Sequence, residues 1–176
     1  MLVKYLVKFF VVTFFLFICT HASAEQKIVV LDMKFVLNNS KAGKGAQDFL
    51  KKSLADNQKK FKNIEENLKK EESDLLSKKT ILSKEEYTKK SDSLRKKVID
   101  YQSEMRGAFD KITTQRAESR EILLKKIEPI LDSYIKENNI TLVIDKQHML
   151  GGNKEYDITN VIVKNLNKEL PSLNLK

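Results

Sequence analysis

Residues 50–87 read LKKSLADNQKKFKNIEENLKKEESDLLSKKTILSKEEY. Within this stretch Leu54, Phe61, Leu68 and Leu75 recur every seven residues, and Leu50 and Ile64 fall three or four positions away. That spacing lays the apolar side chains along one seam of a helix. Asn57, Glu71 and Lys78 interrupt the seam. Ser83 followed by Glu86 is a capping box, in which each side chain satisfies a backbone N–H left open at a helix start. Beyond it Tyr87, Leu94, Tyr101 and Ala108, interleaved with Val98, Met105 and Ile112, repeat the pattern. Two such seams facing each other predict a left-handed antiparallel coiled coil, with helices over roughly 42–79 and 83–138 joined by a tight turn. Leu75, Leu76, Ile81 and Leu82 gather near the turn. They either close the end of the coiled coil or form an exposed apolar tip that touches other polypeptides.

Toward the end of the second helix the apolar pattern widens. Ile122, Leu123, Ile127, Ile130, Leu131, Tyr134 and Ile135 make a face broad enough to pack on a sheet. Pro129 has no N–H for the carbonyl of Lys125, so a kink is expected there. Gln115 and Ser119 stand in line with the seam just before this point, as a pliable joint or a register device. The hairpin is flanked by Lys27–Asp32 and Thr141–Lys146, two short Val/Ile-rich runs that read as strands and that the arm returns to one another. His148-Met149-Leu150 reads as a third strand, before a Gly151-Gly152-Asn153 turn. Asp157 reads as the N-cap of a last helix with Ile158, Val161, Ile162, Leu166 and Leu170 on its inner face, ended by Pro171. The fold class is therefore α+β: a long helical hairpin projecting from a small β-sheet base. Short edge strands in such a base need covering, and a second copy of the chain is the physical expectation.

The chain opens with the pattern of an export signal. Lys4 and Lys8 precede an apolar run from Phe9 to Cys19, and Ala22-Ser23-Ala24 offers small residues for cleavage. The run is shorter than the roughly 20 residues a spanning helix needs. An uncleaved anchor is the rival reading. Lipidation at Cys19 is disfavoured by bulky Phe17 and Ile18 in front of it. Cleavage after Ala24 leaves 152 residues, of which 31 are basic and 24 acidic, for a net charge of +7. Cys19 departs with the signal, so the remaining chain holds neither thiol nor disulfide. The expected organisation is a signal peptide over residues 1–24, a base from 25–41 and 121–176, and an arm over 42–120.

Catalytic constellations are lacking. His148 is the one histidine left after cleavage, too few for a His-rich metal site, and it reads as a packing or surface residue. Asp32 and Asp145 end similar strands and could form a carboxylate pair, but strand-end aspartates more often cap turns and helices. Gly151-Gly152 is too short to cradle a phosphate. Neither an enzyme, a cofactor nor a metal is expected. The positive charge would suit a nucleic-acid binder, yet the arm has no concentrated basic patch and the export signal points elsewhere. A membrane-surface protein is a further reading, since lysines attract anionic head groups.

Several segments resemble the Skp/OmpH family of periplasmic chaperones. Lys27-Ile28-Val29-Val30-Leu31-Asp32-Met33, Val36-Leu37-Asn38 and Gly43-Lys44 are similar to its opening, and Leu142-Val143-Ile144-Asp145-Lys146 and Asp157-Ile158-Thr159 to its close. Their order around a helical hairpin behind a signal carries the resemblance across the whole mature chain. The resemblance implies a homotrimer whose base is built from strands of three chains. Its arms would surround a cavity for unfolded outer-membrane β-barrel proteins in the periplasm. A lipopolysaccharide site proposed in a family member rests on an Arg-rich patch of the second arm helix. Here Arg106, Arg116 and Arg120 are dispersed, so that site is not transferred, and contact with anionic lipid or lipopolysaccharide stays open.

The expected activity is an ATP-independent holdase that prevents aggregation until membrane insertion. The rival is a non-catalytic coiled-coil spacer of the cell envelope. From Lys51 to Arg106 there are 16 basic and 11 acidic residues, a field that would attract acidic cargo over about 10 Å. Exposed lysines also solvate helices, and both roles can hold together. The cargo-binding residues expected are Lys69, Lys70, Lys78, Lys79, Ile81, Leu82, Lys89, Lys90 and Arg95. Those expected in the oligomer base are Ile28, Val29, Val30, Leu31, Leu142, Val143, Ile144, Met149 and Leu150.

Overall fold

The computed structural model describes residues 26–175, so the proposed signal segment lies outside the described residues. The chain runs through β1 (Ile28–Leu31), α1 (Met33–Asn39), α2 (Lys41–Ser77), α3 (Lys84–Glu137), β2 (Leu142–Asp145) and α4 (Thr159–Glu169). Two short 3-10 turns, Lys146–His148 and Lys154–Tyr156, fill the connection between β2 and α4. The two strands pair in parallel, Ile28 with Leu142 through Leu31 with Asp145. Helices α2 and α3 make up the hairpin arm.

α1 departs from the expected course, which had no separate helix before the arm. Asp32 caps it, its carboxylate accepting from the N–H of Phe35 at 2.7 Å. Ser40 ends α1 and starts α2 at once. Its backbone N–H donates to the carbonyl of Val36, and its hydroxyl, fully buried, accepts from the N–H of Gly43. The elbow is tight enough that a Cβ built on Gly43 would stand 1.9 Å from the carbonyl oxygen of Leu37. Glycine is needed here for close approach of two backbones.

The far end of α3 is closed by Asn138 and Asn139. Asn139 takes a left-handed φ of 51°, and the N–H of Ile140 reaches back to the carbonyl of Ile135 at 3.0 Å. The chain then enters β2. Helix α3 continues through Pro129 as one element. One hydrophobic core gathers Val29 and Leu31 of β1, Val36 and Leu37 of α1, Leu123, Ile127 and Ile130 of α3, and Ile162 and Leu166 of α4. The base and the root of the arm are thus packed together. Ile122 and Val161, expected on inner faces, remain exposed; each lies one position off the stripe that the buried residues occupy.

Two further expectations need correction. His148-Met149-Leu150 is not a strand: His148 closes a 3-10 turn and Leu150 is fully exposed. Met149 itself is extended, but a strand is a pairing, and among the described residues the sheet has only the order β1-β2, so the run has no ladder partner. Asp157 is not the N-cap of α4; that position is Ile158, which makes no side-chain cap. The Asp157 carboxylate instead accepts from the N–H of Thr159 at 3.0 Å and from Lys146 Nζ at 2.8 Å. Thr159 Oγ1 accepts from the N–H of Asp32, and the N–H of Ile158 donates to the carbonyl of Val30. This clasp ties the start of α4 to the end of β1. Partial burial disfavours the Asp157 carboxylate, but the hydrogen bonds from Lys146 and Thr159 more than offset it and hold its pKa below the ordinary aspartate range.

Two outcomes follow. Gly43→Ala should destabilise the chain by about 2 kcal/mol or more, because backbone must move to admit the methyl group. Gly45→Ala, with nothing within 4 Å, should be neutral or gain up to roughly 1 kcal/mol. Thermal unfolding at fixed protein concentration compares them, and equal melting points would refute the close approach. For Asp157, the depressed pKa contributes stability above the ordinary aspartate range, and this is lost as pH falls through the lower folded value. Denaturation midpoints between about pH 5 and pH 2 should therefore fall more steeply in the native chain than in Asp157→Asn. Parallel curves would remove the clasp from the acid response.

Candidate cargo-binding arm

The arm is built as the heptad pattern requires. Leu50, Phe61 and Ile112 are buried, and Leu54, Ile64, Leu68, Leu75, Tyr87, Leu94, Val98, Tyr101, Met105 and Ala108 are half-buried along the seam. Phe61 sits among aromatic rings, edge-on to Tyr101 at 6.0 Å and tilted to Phe109 at 6.2 Å. Packing thins toward the tip: no α2 residue beyond Phe61 and no α3 residue before Ile112 is buried. Ser119, expected as a weak point, is buried, and its hydroxyl donates to the carbonyl of Gln115 at 2.6 Å. Such back-bonding to the preceding turn loosens a helix slightly.

Where the seam thins, a groove of about 480 Å³ opens between the two helices. Its floor is apolar, made by Leu68, Leu75, Leu94, Val98 and the rings of Tyr87 and Tyr101, and its rim carries Glu65, Lys69, Glu72 and Arg95. Lys69 bonds Glu65 at 2.7 Å, and this contact raises the lysine pKa and lowers that of the glutamate. Arg95 lies 3.4 Å from Asp92. The sequence named Lys69 and Arg95 but not the groove beside them; the half-filled heptad positions were the available signal. The other expected cargo residues lie elsewhere. Lys78 and Lys90 line a second groove with Glu71 and Asp74, while Lys70 and Lys89 are exposed on the shaft. Lys79 and Ile81 stand at the apex, where Leu82 is half-buried. The capping box is formed in both directions, and the hydrogen bonds from Ser83 hold the Glu86 carboxyl below its ordinary range.

A third groove, at the arm's root, brings Arg116 and Arg120 together with Lys51 and Asp48 over Leu50, Leu54 and Leu123. In sequence these arginines look dispersed; helical spacing of four puts them on one face.

At the base, Val29, Val30 and Leu31 are buried, and Val143, Ile144 and Met149 are half-buried. Ile28, Leu142 and Leu150 are exposed apolar side chains. Asp32 caps α1 and Asp145 caps the 3-10 turn that follows β2, accepting from the N–H of Gln147 at 3.1 Å. Among the described residues no group of three or more His, Cys, Asp or Glu side chains is placed to hold a metal ion, and no helix is long and apolar enough to cross a membrane.

The architecture has a counterpart among solved structures. The crystal structure of an OmpH-like candidate outer membrane chaperone from Caulobacter crescentus CB15 superposes with a TM-score of 0.78, covering 89% of this chain and 93% of that one. Identity is 16%, so the likeness speaks for the fold. Among curated proteins no sequence match was found. A family profile described as Outer membrane protein (OmpH-like) matches residues 27–166, from just before β1 into α4. The chain belongs to the OmpH-like family.

Proposed function

We propose that this protein is an ATP-independent periplasmic holdase, which keeps unfolded outer-membrane β-barrel proteins from aggregating until they insert. The observation that carries the reading is the outer arm, where two helices share a seam that buries no side chain between Phe61 and Ile112. A coiled coil serving only as a spacer gains stability from a filled seam. Here half-exposed Leu, Val and Tyr side chains line an open groove instead. Such a surface can meet many apolar sequences without imposing one conformation. The role is a binding one, with no reaction catalysed.

Self-association completes the reading. The outer edge of β2 has no strand beside it among the described residues, and Ile28, Leu142, Leu150 and Tyr156 are exposed around the sheet. Other copies of the chain would cover them, a trimer being the assembly that the family resemblance implies. Several arms would then enclose a space, with residues 42–120 as arm and residues 25–41 and 121–176 as shared base.

Light scattering of a refolding β-barrel protein, with and without the purified mature chain, tests the reading alongside the oligomer mass. Scattering should fall, and the particle mass should be a multiple of the chain's. Capture should weaken severalfold as salt rises from about 50 mM to 500 mM, because screening shortens the reach of the arm's charge. A chain that leaves scattering unchanged would be a spacer. Capture insensitive to salt would assign holding to the apolar seam alone.

A further inference from the structure

The three grooves of the arm differ in how their cations are answered. In the groove over Leu68 and Tyr101, Lys69 and Arg95 face Glu65 and Glu72. In the second, Lys78, Lys90 and Lys97 face Glu71 and Asp74, and Lys97 bonds Glu71 at 2.6 Å. At the arm's root, Lys51, Arg116 and Arg120 line the groove against Asp48 alone. None of these three cations forms an ion pair among the described residues. The helix segments around the groove lean the same way. Residues 41–54 and 113–123 together hold six basic and three acidic side chains, and Glu121 is taken by Lys125 at 2.6 Å.

The root groove also has a defined shape, with a volume of about 640 Å³. Arg116, Ser119, Arg120 and Leu123 recur at helical spacing on one face of α3. On the α2 side Gly43 and Ala46 carry little side chain, which leaves room between the helices, while Leu50 and Leu54 make the wall apolar. The Ser119 hydroxyl is engaged by the carbonyl of Gln115. Leu37 and Asn38 of α1 close the end nearest the base, where Gln47 Nε2 donates to Asn38 Oδ1 at 2.7 Å. A lone anion would use the arginines and leave the apolar wall empty. An uncharged apolar side chain would fill the wall and leave two guanidinium groups unanswered. An extended polypeptide with a carboxylate side chain between apolar ones satisfies both, because the guanidinium fork matches a carboxylate in two parallel hydrogen bonds. We propose that the root groove is a docking site for acidic segments of unfolded polypeptide flanked by apolar residues. Arg116 and Arg120 hold the carboxylate, and Leu50, Leu54 and Leu123 receive the flanking side chains. The proposal rests on the holdase reading and adds to it a feature by which cargo is selected: the outer groove, with its balanced rim, takes apolar sequence, and the root groove discriminates by charge.

Fluorescence anisotropy of dye-labelled peptides tests this on the purified mature chain. The probe is a peptide of about ten residues, made of Val, Leu and Ser around two central glutamates and amidated at its C terminus. It should bind roughly tenfold more tightly than the same peptide with glutamines, as expected for hydrogen bonds to a charged group. Arg116→Gln with Arg120→Gln should abolish that preference, and Arg116→Lys with Arg120→Lys should restore only part of it, since lysine keeps the charge without the fork. Lys154→Gln with Lys164→Gln removes the same charge from exposed positions of the base and should change binding by less than about twofold. Both arginines are exposed, so circular dichroism and melting temperature should match the native chain. The native chain's choice between the two peptides tests the site without any variant. Equal affinity for both peptides would overturn the proposal, as would an unchanged preference in the double glutamine variant. A loss from the base pair as large as from the arginines would overturn it in favour of net charge. Tighter binding of the glutamine peptide once its C terminus is left free would overturn it in favour of a chain end. Octanoate bound at the arginines while the acidic peptide is not would give the groove to a small amphiphile and overturn it too. Aggregation of a refolding barrel protein still suppressed by a chain that does not discriminate the peptides would remove this proposal and leave the holdase reading standing.

Discussion

The parallel pairing of β1 with β2 governs the whole molecule. Parallel neighbours cannot be joined by a tight turn; the chain must leave the first strand, cross, and return to the second. In most sheets one helix laid on the strands does this. Here the crossover is the entire hairpin of α2 and α3, so the arm is an enlarged connection rather than an appendage. Four residue pairs are a slight sheet. They persist because the root of α3 supplies Leu123, Ile127 and Ile130 to the same core as Val29 and Leu31, with Ile162 and Leu166 closing the other side. Remove the root and the strands lose their cover; remove the pairing and the two ends of the arm have nothing to bring them together.

Much of this was legible from the residues. The heptads placed the seam, and Ser83 and Glu86 placed the turn. Each is a local signal whose physics is complete within a few residues. What escaped was decided by contacts between distant segments. Met33–Asn39 is too short for periodicity to distinguish, and only the double use of Ser40 reveals a helix ending and another beginning. Gly43 reads as a blemish in a helix until Leu37 is seen against it. His148-Met149-Leu150 has strand-like residues, but a strand is a pairing, and sequence alone does not say whether an edge is on offer. Asp157 has the right residue type for a cap. It was drawn instead into a clasp with Lys146 and Thr159, a partner set fixed by where β2 ends. For the arm, the cations were visible as a run, whereas their division between groove and apex required the helix phase.

Stability falls along the arm from root to tip. Near the base, Ala42, Ala46, Leu50 and Ile112 are buried, and the aromatic contacts of Phe61 are the last dry point. Beyond it the helices are joined by half-exposed seam residues and by the exposed pair Glu71–Lys97. Exposed ion pairs of this kind contribute on the order of 0–1 kcal/mol each. Opening the outer arm therefore costs less than opening its root. A hairpin firm at one end and loosely zipped at the other can adapt its groove without endangering the base, the combination a surface for varied polypeptides would need.

Charge and apolar surface act over different distances, and the arm separates them. The 37 residues of α2 span roughly 55 Å, several times the screening length of about 10 Å at moderate salt. The field of the apex therefore does not reach the base, and its lysines act on whatever approaches the end of the arm. On the shaft the groove's rim is balanced, with Glu65 and Glu72 facing Lys69 and Arg95. The groove itself is thus apolar with little net charge, and the arm's excess cations lie outside it. The cations near the turn are answered across the hairpin by Glu71, Glu72 and Asp74, so residues 71–97 together carry eight basic and six acidic side chains, and the end of the arm differs from its shaft only modestly in charge.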